Sequence, residues 1–213
     1  MRIPYKLYHL LVRIPHKILS YLNIYWENAY LLTQEITEET ISKQQQQLQK
    51  FKNTYDIKEL TYSDFLLGDK NIFTSDKLQI IKERFNKKDE YIAFGIIKDN
   101  KLIYSCWLHN KKLILSYGIR IPLAQDFLFL DDYCSPECRG LGIHTKMNFF
   151  RLEYIHKNSK QSVAVLVHSY NIPAIKSQIK AGFNPEQKIL TFKIGKKTNF
   201  RIKEINSYSQ QQS

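Results

Sequence analysis

The chain has 213 residues, 43% hydrophobic and 24% charged, the balance of a soluble globular protein with one sizeable core. A net charge of +12 and a pI of about 9.5 favour anionic partners: a phosphate-bearing molecule, an anionic lipid surface or nucleic acid. Three cysteines, Cys106, Cys134 and Cys138, exclude a disulfide framework and point to a reducing cytosol, and neither a bilayer-spanning stretch nor a signal cleavage site is visible.

The chain divides into 1–22, 23–206 and 207–213. In the first segment Ile3, Leu7, Leu10, Leu11, Ile14, Ile18, Tyr21 and Leu22 share one helical face, opposite Arg2, Lys6, His9, Arg13, Lys17 and Ser20. Such a basic amphipathic helix can make peripheral contact with an anionic membrane or pack on its own domain, and Pro15 kinks it in either case. Asn23 to Ile36, rich in Tyr and Trp, reads as a strand. Ile41 to Lys52, with its run of four glutamines, reads as an exposed polar connection, in part helical. A short strand is expected at Ile57–Leu60. Helices are expected after a cap at Ser63 or Asp64, and after Ser75-Asp76 with Leu78, Ile81 and Phe85 inward.

Tyr91–Lys98 and Lys101–His109 read as strands joined by a tight Asp99-Asn100 turn, and Lys112–Ile119 extends or follows this meander. Phe127–Cys134 reads as a mostly buried strand ended by Pro136. After Arg139-Gly140-Leu141-Gly142 the period switches to helix, with Ile143, Met147, Phe150, Tyr154 and Ile155 on one stripe. Ser162–His168 is a strand buried on both faces, and Asn171–Ala181 a helix closed by Gly182. Ile189–Ile194 and Phe200–Ile205 suit a final hairpin, followed by a disordered tail from Ser207.

The stretch from Phe127 to Lys157 is thus a strand, a glycine-bearing turn and a helix. The unpartnered N–H groups and positive dipole of such a helix start suit a phosphate or pyrophosphate. The run Arg139-Gly140-Leu141-Gly142-Ile143-His144 resembles the (Q/R)-x-x-G-x-(G/A) signature of the GNAT superfamily of acyl-CoA-dependent N-acyltransferases. Asn171-Ile172-Pro173-Ala174-Ile175, followed by Lys180-Ala181-Gly182-Phe183, resembles that family's second motif at the expected distance, so the likeness covers about Tyr91 to Phe183.

The resemblance implies an α/β fold of the α+β type: a mixed, mostly antiparallel central sheet flanked by helices, here with the amphipathic N-terminal extension. It also implies an enzyme that moves an acetyl or other short acyl group from acyl-CoA, with acetyl-CoA as cosubstrate, to an amine acceptor; the scattered basic residues, without an aromatic-basic signature, argue against a nucleic-acid partner, and the cysteine count suits a cytoplasmic protein. Tyr133, Cys134 and Ser135 would offer strand backbone to the pantetheine arm. Arg139, Gly140, Leu141, Gly142, Ile143, His144 and Thr145 would wrap the pyrophosphate. Asn171 would cap the second helix beside the pantetheine, with Lys176 and Lys180 near the phosphates.

Two positions depart from the pattern. His144 stands where the family prefers Gly or Ala. Gln178 stands where it commonly has a tyrosine that protonates the departing thiolate, and an amide cannot act as that acid. Tyr170 is the substitute acid nearest in sequence. For the base, Asp131 and Asp132 lie on the strand and point to opposite faces. An Asp beside this hydrophobic strand is expected to have a raised pKa, and the resemblance favours Asp131, at a position where many relatives carry an acid; His109 and His168, at strand ends, are weaker candidates. Cys134, Cys138 and His144 lack the fourth ligand of a metal site. Gln178 also motivates the alternative of a non-catalytic, regulatory CoA-binding module.

Overall fold

The computed structural model describes residues 24–110, 113–114, 120–121, 124–194 and 197–205. The helical reading of 1–22 and the disordered tail lie outside them. Strands occupy Ile24–Glu35 (β1), Ile57–Glu59 (β2), Tyr91–Lys98 (β3), Lys101–His109 (β4), Leu113–Ile114 (β5), Arg120–Ile121 (β6), Phe127–Cys134 (β7), Ser162–His168 (β8), Asn184–Ile194 (β9) and Lys197–Glu204 (β10). Helices occupy Glu38–Thr54 (α1), Tyr62–Phe65 (α2), Ser75–Phe85 (α3), Ile143–Lys157 (α4) and Ile172–Lys180 (α5).

Eight strands form one sheet in the order β10-β9-β1-β8-β7-β4-β3-β2. All neighbours are antiparallel except β7 and β8, which run parallel. This is the mixed, mostly antiparallel sheet that the motifs implied. The β3–β4 turn has Asp99 and Asn100 at φ 50° and 57°, the left-handed pair that a two-residue hairpin requires. Of the stretch expected to prolong the meander, β5 is described, and it pairs with β6 in a separate ladder.

Three local expectations change. The polar connection over 41–52 is part of the 17-residue helix α1, capped by the Thr37 side chain on the Thr40 N–H. Leu48 and Phe51 are its buried residues, and Lys52 reaches Glu153 on α4 at 2.5 Å. Two apolar residues suffice because a neighbouring helix receives them. Secondly, Thr61, rather than Ser63 or Asp64, starts α2, and Asp64 returns to the Thr61 N–H at 2.7 Å. Thirdly, Thr74 caps α3 one residue before the expected Ser75.

One face of the sheet packs against α1, α4 and α5 around Leu32, Phe94, Phe129, Met147, Leu152 and Phe183. The other face holds α2 and α3 over Trp107, Phe65, Phe73 and Ile81. Several carboxylates tie these layers down. Burial alone would raise the pKa of Glu153, but Lys52 and Lys157 outweigh it and hold it below the ordinary 4.5. Burial is likewise outweighed at Asp64 by Lys58 and Thr61, which hold it below 3.8. A carboxyl whose folded pKa lies below its unfolded one stabilises fully above the unfolded value and loses that contribution as pH falls through the folded one. The urea midpoint is therefore expected to be flat above about pH 5 and to fall steadily below 4.5, with a shallower fall in Glu153→Gln.

Candidate active site

The site begins where two strands part. β7 pairs with β8 over Phe127–Phe129 against Val163–Val165. β7 then runs on to Cys134 along β4, while β8 runs on to His168 along β1, so a wedge opens between them. A β-bulge sharpens the parting. Leu130 faces Trp107 and Tyr133 faces Ser105, so Asp131 and Asp132 together stand opposite Cys106, with Asp131 at φ 55°. The extra residue resets the alternation, and Asp132 returns to the α4 face that Phe129 occupies.

Backbone direction at the end of β7 follows from one bond. The Ser135 N–H donates to the Ile103 carbonyl at 2.9 Å, so the backbone groups of Ser135 and Tyr133 turn to β4 and those of Cys134 turn into the wedge. Of the three residues expected to offer backbone there, Cys134 is the one so turned. Its carbonyl accepts from Arg139 Nε at 3.2 Å. The Tyr133 side chain goes to the opposite face, its ring centroid 4.9 Å from that of Phe73. Burial pushes the Cys134 thiol up to about 11, so it is protonated at neutral pH and unsuited to nucleophilic attack.

After a 3₁₀ turn at Pro136–Cys138 the chain passes through Gly140 and Gly142, at φ 82° and 75°. A Cβ built on either glycine would meet nothing within 4 Å. Neighbouring side chains therefore do not demand glycine here; the left-handed backbone does. Ile143 is buried as the anchor of α4, while Leu141 is 64% exposed. Thr145 Oγ1 lies 2.9 Å from Ser177 Oγ, joining the start of α4 to α5, and Asn171 caps α5 by accepting from the Ala174 N–H. Burial and the charge of Lys180 together depress the Lys146 pKa, and the Lys146 ammonium donates to the Gln47 side chain of α1.

Beneath the wedge lies a buried polar chain. Arg151, fully buried on α4, donates twice to Asp132, each bond 2.8 Å, and to Asn148 Oδ1 at 2.5 Å. Asn148 Nδ2 donates to Gln178 Oε1 at 2.9 Å, and Gln178 Nε2 lies 3.2 Å from His144 Nε2. His144 Nε2 is also 3.4 Å from Asp132 Oδ2. The guanidinium stacks over Phe129, 3.7 Å from the ring centroid. Burial opposes the charge on Arg151, but Asp132 beside it raises its pKa and keeps it cationic. Burial lowers the His144 pKa more than Asp132 raises it, so the imidazole is neutral at pH 7.

Sequence reading missed Arg151, Asn148 and the link from Gln178 to His144. A signal was present: Met147, Arg151 and Ile155 fall on one line at four-residue steps, and a charge on an apolar line needs a buried partner. Asp131 sits apart from this chain, on the α3 side, 2.5 Å from Lys77 and 2.7 Å from Arg84. Burial raises its pKa, as expected, but the two cations outweigh burial and hold it below 3.8, which makes it a weak base. His109 is buried with its ring stacked on Tyr91, beside a cavity of about 270 Å³ lined also by Ile80, Arg84, Lys87, Leu128 and Leu130. Tyr170 stacks on His168 at the end of β8, ring centroids 5.1 Å apart. Among the described residues, no cluster of three His, Cys, Asp or Glu side chains could hold a metal ion, and no helix is long and apolar enough to cross a membrane.

No protein-family model matches the sequence, and no curated protein matches it. Solved structures do match. A GCN5-related N-acetyltransferase-like protein from Streptococcus suis is similar with a TM-score of 0.55 and 10% identity, over 86% of this chain and 67% of its own. A functionally unknown conserved protein from Staphylococcus epidermidis gives 0.55 and 10%, over 91% and 68%. A Drosophila protein gives 0.51 and 11%, and this chain spans 58% of its length. At such identities the likeness is one of fold. The fold of this chain is therefore that of the GNAT superfamily, in agreement with the motifs at Arg139–His144 and Asn171–Phe183.

Proposed function

We propose that the protein is an N-acyltransferase that moves an acetyl or other short acyl group from acyl-CoA to a primary amine, by direct attack in a ternary complex. The observation that carries this reading is the wedge itself: Cys134 turns its backbone into the gap, and a bend with two left-handed glycines, open at both Cβ positions, follows it. In this reading the pantetheine arm pairs with Cys134 as an added strand would. The N–H groups from Gly140 to Thr145 hold the pyrophosphate. Arg139, Lys146 and Lys180 supply charge. Asp131, held by Lys77 and Arg84, fixes α3 over the acceptor mouth. Tyr170 remains a proposed proton donor at the end of β8, and Tyr170→Phe tests it.

Thiol release from acetyl-CoA on adding amino sugars, amino acids, polyamines or peptide N-termini is the direct test, alongside calorimetry with coenzyme A. Heat with CoA and turnover with at least one amine are expected. Absence of heat would sink the reading.

A second reading, a CoA-binding module without catalysis, draws on Gln178, whose buried amide is engaged at both ends. CoA heat without turnover in any amine would favour it.

A further inference from the structure

The buried chain has a fixed direction. Arginine nitrogens can only donate, so Asn148 must present its oxygen to Arg151 and its NH₂ to Gln178. Gln178 must then present its own NH₂ to His144 Nε2. Asp132 Oδ2, 3.4 Å from that nitrogen, is taken up by Arg151 and makes no hydrogen bond to the ring, so Nε2 accepts from Gln178 and the proton of the neutral ring sits on Nδ1, the nitrogen the chain does not use. A protonated ring would set an Nε2–H against the Gln178 donor. The charged groups facing the ring are Asp132 from β7 and Arg151 from α4, with the Tyr104 ring of β4 packed edge-on at 6.2 Å. His144 stands between Asp132 of β7 and Gln178 of α5, and its side chain is 27% exposed.

We propose that His144, as a neutral imidazole donating from Nδ1, stabilises the negative charge that gathers on the thioester sulfur as the amine attacks, and that Gln178 is the positioning residue fixing this tautomer. The proposal rests on the acyltransferase reading. In the step, the amine nitrogen bonds to the acyl carbon and the C–S bond breaks with its electron pair going to sulfur. The thiolate leaves hydrogen-bonded to Nδ1–H. The proton lost by the amine passes to solvent, and His144 gives up none. Gln178 thus does through another residue what an acid on α5 would do by itself.

The test uses acetyl-CoA with hydroxylamine, a nucleophile small enough to need no acceptor pocket, and follows CoA release above the uncatalysed rate. His144→Ala is expected to lose about 10²–10³ in rate, as when one preorganised donor is removed. His144→Asn places an amide N–H close to the Nδ1 position and is expected within about tenfold of wild type. Gln178→Glu, the same shape with a donor exchanged for an acceptor, is expected to fall as far as His144→Ala while CoA affinity holds. The ¹⁵N shifts of His144 should report Nδ1–H in the wild type and its loss as the sole tautomer in Gln178→Glu. CoA calorimetry on each variant shows that it is folded. Equal losses in His144→Asn and His144→Ala would overturn the donor role and favour a base. An unaffected His144→Ala, or CoA binding by the wild type without accelerated hydroxylaminolysis, would overturn the proposal. Absence of CoA binding by the wild type would instead overturn the reading beneath it.

Discussion

Arg151→Met is expected to destabilise the protein by about 3–5 kcal/mol, because it leaves the Asp132 carboxylate buried without its bidentate partner. For a chain of this size that is a fall in melting temperature of roughly 10 °C. The arginine is fully buried, and the carboxylate side chain is 14% exposed, so water cannot replace the lost bonds. Asn148 loses its donor in the same step, and the direction of the chain to His144 is no longer imposed. Combining Arg151→Met with Asp132→Asn should restore a large part of the stability, since the cost lies in the lone charge more than in the missing pair. Urea denaturation of the two single variants and the double variant gives the coupling. A loss below about 1 kcal/mol in Arg151→Met would mean that Asp132 finds another partner or takes up a proton.

Gly142→Val is expected to weaken coenzyme A binding by about 100-fold, the loss of one to two charge-assisted backbone hydrogen bonds. A β-branched residue cannot hold φ 75° without strain, so the bend reopens and its N–H groups turn away from a common point. Nothing lies within 4 Å of a Cβ at this position, so the substitution creates no clash with the rest of the protein. Stability should fall by only about 1–3 kcal/mol, the size of a local backbone penalty. Calorimetry with CoA and a thermal melt on the same sample separate the two effects. Unchanged affinity would remove the phosphate-binding role from this bend.

Much of the fold was legible because it is written in local terms. The Asp99-Asn100 turn sets the β3–β4 register within two residues. The apolar run Ser162–His168 and the Asn171 cap bound β8 and α5 as expected. The helix over 38–54 was less legible: its glutamines are neutral about burial, and only Leu48 and Phe51 face the core. Of the site, the glycine bend was visible because left-handed backbone has few residue types that can hold it.

The two aspartates show where sequence stops. Alternation along β7 puts them on opposite faces, but which face each takes depends on whether the strand holds an even or an odd number of residues against its partner. The bulge opposite Cys106 decides that, and it exists only once β4 and β7 are paired. So the sequence by itself determined most of the elements, the glycine bend and the departure at Gln178. Only the tertiary structure decided that Asp132 meets a buried arginine and that Gln178 meets His144. Those partners are 19 and 34 residues apart, and a hydrogen bond acquires its direction from the one group in the chain that can only give.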